Sequence, residues 1–184
     1  MSFTRHNERV GTTAEVRDAT SEPGSICRSC GHRSATVAVG IEPPVAASVA
    51  CYAAYLELST YNAERARLDF LHQAAVDAYT AQHPHPPTKP ISVWFALVGL
   101  HLFIDQDRTG KQVQRAHTQL ARRAHHWEPI APPGDLTGFT AGDVLRHAPG
   151  HERDAAEVQW AKVVWSRWAD QHEVIASLCR QQAL

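Results

Sequence analysis

The stretch Leu71 to Pro84 most constrains what this chain can become. It has helical character up to Gln82 and is then stopped by His83-Pro84-His85-Pro86-Pro87, where proline removes donors and forbids a continuing helix. On a helix each residue advances by about 100°, so His72, Tyr79 and His83 fall within about 40° of one another, with Val76 between them. Asp77 points roughly 140° away and must serve a different neighbour. An imidazole, a phenol and a second imidazole share one otherwise apolar face of the helix. His72 and His83 are separated by about 16 Å of helix rise, too far to share one metal, so they belong to two layers of one core.

The rest of the chain supplies further helices. Pro43-Pro44 opens a helical segment from Val45 to about Ser59, carrying Cys51, Tyr52 and Tyr55. The central helix is expected from about Ala63 to Gln82. After the proline break, Ile91 to about Gln106 is strongly apolar, and Lys111 to about Trp127 is basic on one side. Thr140-Ala141-Gly142-Asp143 has the form of a cap leading a short helix through Arg146. A long final helix is expected from about His151 to Gln181. Its seam recurs every seven residues at His151, Val158, Trp165, His172 and Cys179, with Asp154, Ala161, Trp168 and Ile175 alternating. The pattern predicts a mostly α protein, an antiparallel helical bundle with an N-terminal zinc-knuckle-like segment. Residues 1–25 are polar and aperiodic and read as a flexible arm; residues 26–184 read as a single helical domain that includes the knuckle at 26–40. Ala35 to Val39 is a candidate strand beside that knuckle.

Bulk composition narrows the function classes. A net charge of −1 gives no basic surface for nucleic acid, and the basic side of Lys111–Trp127 reads as a solvated face. No apolar run reaches membrane-spanning length and the N-terminus lacks a signal-peptide core, so a cytoplasmic protein is expected. In that setting four cysteines point to metal or redox chemistry rather than a disulfide framework. Walker, dinucleotide, G-x-S-x-G and H-E-x-x-H motifs are absent.

The cysteines start the candidate site. Cys27-Arg28-Ser29-Cys30-Gly31-His32 has the form of a zinc knuckle, but a tetrahedral site needs two more donors. Cys51 is the expected third thiolate. Folding the helices up and down brings Cys51, His72 and His101 to one level, so His72 is the expected fourth ligand, with the local His32 as its rival. A thiol redox role for Cys27 and Cys30 is the alternative, although no thioredoxin-type strand–turn–helix surrounds them.

Tyr79, His83, His101, Asp105 and His172 are the candidate catalytic residues of a pocket in the bundle. His83 at a helix C-terminus has a sufficient structural reason in the helix dipole, and a general-base role is the functional alternative. Asp105 stands four residues after His101, the spacing at which a carboxylate orients an imidazole. Imidazole in the seam at His151 and His172 is unfavourable unless its nitrogens are paired.

Taken together, Cys27-x2-Cys30-Gly31, Cys51-Tyr52-Ala53-Ala54-Tyr55 and His72-Gln73-x2-Val76-Asp77-x-Tyr79-x2-Gln82-His83-Pro84 resemble a bacterial family of unknown function, DUF5946. Ser92-Val93, Gly99-Leu100 and Trp160-x3-Val164-Trp165-x2-Trp168-x3-His172 extend the likeness over most of the chain after Ser25. The sequence departs from that family's pattern at Tyr52, Ala96 and Gln171, and it has no histidine between Arg33 and Cys51. The resemblance implies no activity. The resulting expectation is a zinc-binding helical protein, an enzyme acting on a small-molecule substrate with histidine acid–base groups. The alternative is a zinc-stabilised, non-catalytic binding or adaptor protein. Neither nucleic acid nor membrane is an expected partner, and self-association into a homo-oligomer is left open.

Overall fold

A computed structural model describes residues 26–34, 42–65, 71–122 and 126–184. It is mostly helical, with no strand among the described residues. The helices are α1 (Val49–Glu64), α2 (Leu71–Gln82), α3 (Pro90–Ile104), α4 (Gly110–Ala121), α5 (Ala141–Leu145), α6 (His151–Arg167) and α7 (His172–Gln182). The arm at 1–25 and the candidate strand at 35–39 lie outside the described residues.

Local chemistry sets the boundaries. Ser48 caps α1 by accepting from the Cys51 backbone N–H, so the helix begins at Val49 and not at Val45. Pro90 occupies the first turn of α3, where its missing donor is harmless. Thr109 with Gln112 and Thr140 with Asp143 form capping boxes that start α4 and α5. α4 stops at Ala121, short of the expected Trp127.

α2 is the hub, packing against α1, α3, α4 and α6. Its small residues Ala74, Ala75, Ala78 and Ala81 are buried and let neighbouring helices approach closely. α3 has mostly apolar residues on every face and is correspondingly enclosed.

The long final helix is a correction. It breaks at Trp168, whose backbone (φ −94°, ψ 21°) leaves the helical region, and a short 3₁₀ turn at Ala169–Gln171 leads into α7. Trp168 is fully buried and its indole N–H donates to the Ala81 carbonyl at 3.2 Å. Of the seven-residue seam, Ala161, Trp165, Trp168, Ile175 and Cys179 are buried and His151 is exposed, while Glu157, Trp160 and Val164 widen the buried face of α6.

Candidate metal centre

The N-terminal knuckle forms from short-range bonds. The Cys27 N–H donates to the His32 carbonyl at 2.9 Å and the Gly31 N–H to the Cys27 carbonyl at 2.8 Å. Ile26 and Arg33 close the turn as an antiparallel bridge. Gly31 adopts φ +77°, a left-handed conformation that a side chain would strain. Both sulfurs therefore face inward, and Cys27 and Cys30 are buried.

Two other segments meet them. Cys51 sits in the first turn of α1, where the helix dipole favours a thiolate. His83 follows the last residue of α2, and its Nδ1 donates to the Tyr79 carbonyl at 2.6 Å. That bond fixes the tautomer and leaves the Nε2 lone pair facing the sulfurs. A chain of bonds then joins the segments. The Ser29 hydroxyl donates to the Ala46 carbonyl at 2.6 Å, the Ala46 N–H to Thr88 Oγ1 at 3.1 Å, and the Thr88 hydroxyl to the His83 carbonyl at 2.5 Å.

The four donor atoms of Cys27, Cys30, Cys51 and His83 lie within 4.8 Å of one another. Individual separations are 3.5 Å for Cys30 to Cys51, 3.4 Å for Cys51 to His83 Nε2 and 3.6 Å for Cys27 to His83 Nε2. A tetrahedron with metal–sulfur bonds of about 2.3 Å and a metal–nitrogen bond of about 2.0 Å has edges of roughly 3.5 to 3.8 Å. The donors fit such an ion, and all four residues are at most 2% exposed. The Cys30 sulfur also accepts from the His32 N–H at 3.4 Å.

Without a cation the three thiols compete for protons. Hydrogen bonds from Cys30 and Cys51 hold the Cys27 thiol far below its ordinary range. The same contact with Cys27 pushes Cys30 up to about 12 and Cys51 higher still. Packing them together favours one thiolate and resists the others, a conflict that a divalent cation removes. The Tyr79 phenol is pushed up by burial and by these thiols, so it remains protonated.

The match to known proteins includes this region and most of the bundle. Residues 25–169 match the family of unknown function DUF5946. The chain belongs to that family. The match covers the knuckle, α1, α2 and the tryptophans of α6. No curated protein and no solved structure matches this DUF5946 member.

The fourth donor is a correction to the sequence reading. His72 is not in the donor group; it stands near the opposite end of α2, about 16 Å of helix from His83. Nor is His32, whose Nδ1 lies 3.3 Å from Thr140 Oγ1. His32 instead seats the knuckle on α5: a Cβ at Gly142 would fall 2.1 Å from its ring. The His83 ring donates Nδ1–H to the Tyr79 carbonyl and turns Nε2 toward the sulfurs of Cys27 and Cys51.

The other candidate residues form two groups. Tyr79 adjoins the thiols in an aromatic wall, its ring 4.0 Å from Tyr55 and 4.4 Å from His83 between centroids. His101, Asp105 and His172 assemble elsewhere, around Trp165. His101 Nδ1 is 2.8 Å from Asp105, its Nε2 is 3.2 Å from Gln106, and the Trp165 indole N–H donates to both Asp105 oxygens at 3.1 Å. His172 stacks on Trp165 at 3.9 Å and its Nε2 lies 3.0 Å from the Trp165 carbonyl. This cluster clamps the end of α3 to the α6–α7 break. Gln82, singled out only as part of a motif, receives the Trp160 indole N–H at 3.0 Å and donates to the Leu136 and Phe139 carbonyls at 3.1 Å.

Proposed function

We propose that Cys27, Cys30, Cys51 and His83 hold one zinc ion as a closed structural site, and that the protein is a zinc-stapled helical binding protein. The observation that carries this reading is the convergence of four buried donors at tetrahedral spacing. Three thiolates and an imidazole are donors that suit zinc. Catalytic zinc keeps a position for water or substrate, whereas four protein donors fill the coordination sphere. The non-catalytic alternative of the sequence analysis is therefore favoured over chemistry at the metal.

The ion would fasten the knuckle to the N-terminus of α1 and the C-terminus of α2, segments that no helix connects directly. Four free cysteines suit a reducing compartment, so a cytoplasmic setting belongs to the same reading. Metal analysis of the purified protein tests it. About one zinc per chain is expected, with the visible spectrum of a tetrahedral thiolate site after cobalt substitution. A protein that folds and stays fully stable without metal would overturn the reading.

A further inference from the structure

Tyr79 is wedged between two of the four donors. On α2 it stands one turn before His83: its carbonyl takes the His83 Nδ1–H at 2.6 Å, and its ring lies 4.4 Å from the imidazole between centroids. Towards α1 it stacks at 4.0 Å on Tyr55, one turn after Cys51, and lies 6.3 Å from Tyr52, the residue next to Cys51. The side chain is 3% exposed, and its hydroxyl is closed to water and makes no hydrogen bond of full geometry. A phenol buried in this way needs an acceptor for its proton.

The sulfurs are the acceptors at hand. Both His83 nitrogens are turned elsewhere, Nδ1 to the Tyr79 carbonyl and Nε2 to the sulfurs. Of the three thiols that act on the phenol, Cys51 is the one in hydrogen-bonding contact with it. Burial first, and then these contacts, keep the proton on the phenol, the sense expected of a phenol that donates. A neutral thiol accepts weakly, whereas a thiolate accepts as a charged group. The sulfurs also differ in what else they receive. Cys30 Sγ accepts the His32 N–H at 3.4 Å, but among the described residues no backbone N–H donates to Cys51 Sγ. Three thiolates around a divalent ion leave one surplus negative charge in a buried site, and donors aimed at the sulfurs offset it.

We infer that the Tyr79 hydroxyl donates to the Cys51 thiolate of the zinc site, a positioning residue that draws charge from that sulfur and tightens the site. The inference rests on the zinc reading and gives the phenol a role in holding the ion instead of one in proton transfer.

Zinc and cobalt titrations of the full chain under reducing conditions test it in the wild type, Tyr79→Phe and Tyr55→Phe. Each variant keeps its ring in the stack and loses one hydroxyl; that of Tyr55 interacts with Ser59. Tyr79→Phe is expected to weaken zinc binding by at least about tenfold, measured against a chromophoric chelator. It should also move the sulfur-to-cobalt charge-transfer band to longer wavelength, because a thiolate relieved of its donor gives up charge more readily. Tyr55→Phe should leave both readings unchanged. Unaltered affinity in Tyr79→Phe, weaker binding with an unmoved band, or the same changes in Tyr55→Phe would each overturn the inference while leaving the zinc reading intact. A wild-type chain that takes up neither metal would overturn both.

Discussion

The Nδ1 of His83 lies 2.6 Å from the carbonyl of Tyr79, one turn back on the helix that His83 terminates. A helix C-terminus has carbonyls without intrahelical donors, and here one of them orients a candidate metal ligand. The proline that ends α2 therefore does two things: it stops the helix and it places the imidazole at the free carbonyls.

His83→Ala should lose the metal. Removing one of four donors opens the site and leaves three packed thiols in conflict over protons. A destabilisation of at least about 4 kcal/mol is expected, roughly 10 °C or more in melting temperature for a chain of this size. His72→Ala should retain full metal content. Metal analysis and thermal melts of the two variants check this, and equal metal loss in both would place His72 in the site.

Knuckle, third cysteine and helical class were legible because they depend on local signals: C-x-x-C-G, a cysteine near a helix start, and apolar periodicity. The fourth donor was not. Counting residues up and down a hairpin is uncertain by about one turn, and His72 and His83 lie on one face of the same helix. What selects His83 is where the loop after α2 sits: Thr88 bonds the His83 carbonyl locally, and contacts distant in sequence, Ala46 to Thr88 and Gln82 to Leu136, hold that loop in place. The break at Trp168 was hidden for a related reason. The residues around it have ordinary helical character, and the turn is stabilised by a bond to Ala81 on α2. Asp77 could be assigned a different side of α2 from the spacing alone, but the glycine that receives it could not.

Glu157→Gln should stabilise the protein at neutral and alkaline pH. Glu157 is fully buried on α6, with Asn62 Nδ2 donating to Oε1 at 2.8 Å and Oε2 unpaired. Burial raises its pKa from 4.5 to about 7, with the Asn62 bond opposing. A raised folded pKa means that stability is fully present below pH 4.5 and is lost as pH rises through about 7. Glutamine keeps the acceptor for Asn62 and carries no charge. The variant should gain about 2–3 kcal/mol above pH 7 and nothing near pH 4, as measured by urea denaturation at both values. An equal gain at both would remove Glu157 ionisation as the cause.

Asp105→Ala should weaken the bundle without touching the metal. Its carboxylate accepts from the buried Trp165 indole through both oxygens and orients His101. Losing these leaves the indole N–H of the buried Trp165 without its acceptor, a cost of about 1–3 kcal/mol. Metal content should be unchanged because the cluster lies near the far end of α3 from Pro90 and the thiols. Tryptophan fluorescence should shift as the Trp165 environment opens, and a loss of metal would show that the two clusters are coupled.

Gly99→Ala should destabilise the protein through Asp77. Alanine has the higher helix propensity, by about 1 kcal/mol, so an exposed glycine in this position would be improved by the change. Here the added methyl would stand 1.9 Å from Asp77 Oδ2 and 2.5 Å from its Cγ, and neither group can move freely inside the core. A net loss of about 2–4 kcal/mol is expected. Asp77→Ala removes the obstructing carboxyl, so the double variant should regain much of that loss. The resulting coupling energy should be at least about 1.5 kcal/mol, within the range for residues in direct contact. Chemical denaturation of the two single variants and the double variant measures it. Additive effects would mean that the α2–α3 approach at Gly99 is set by backbone packing and not by the carboxyl.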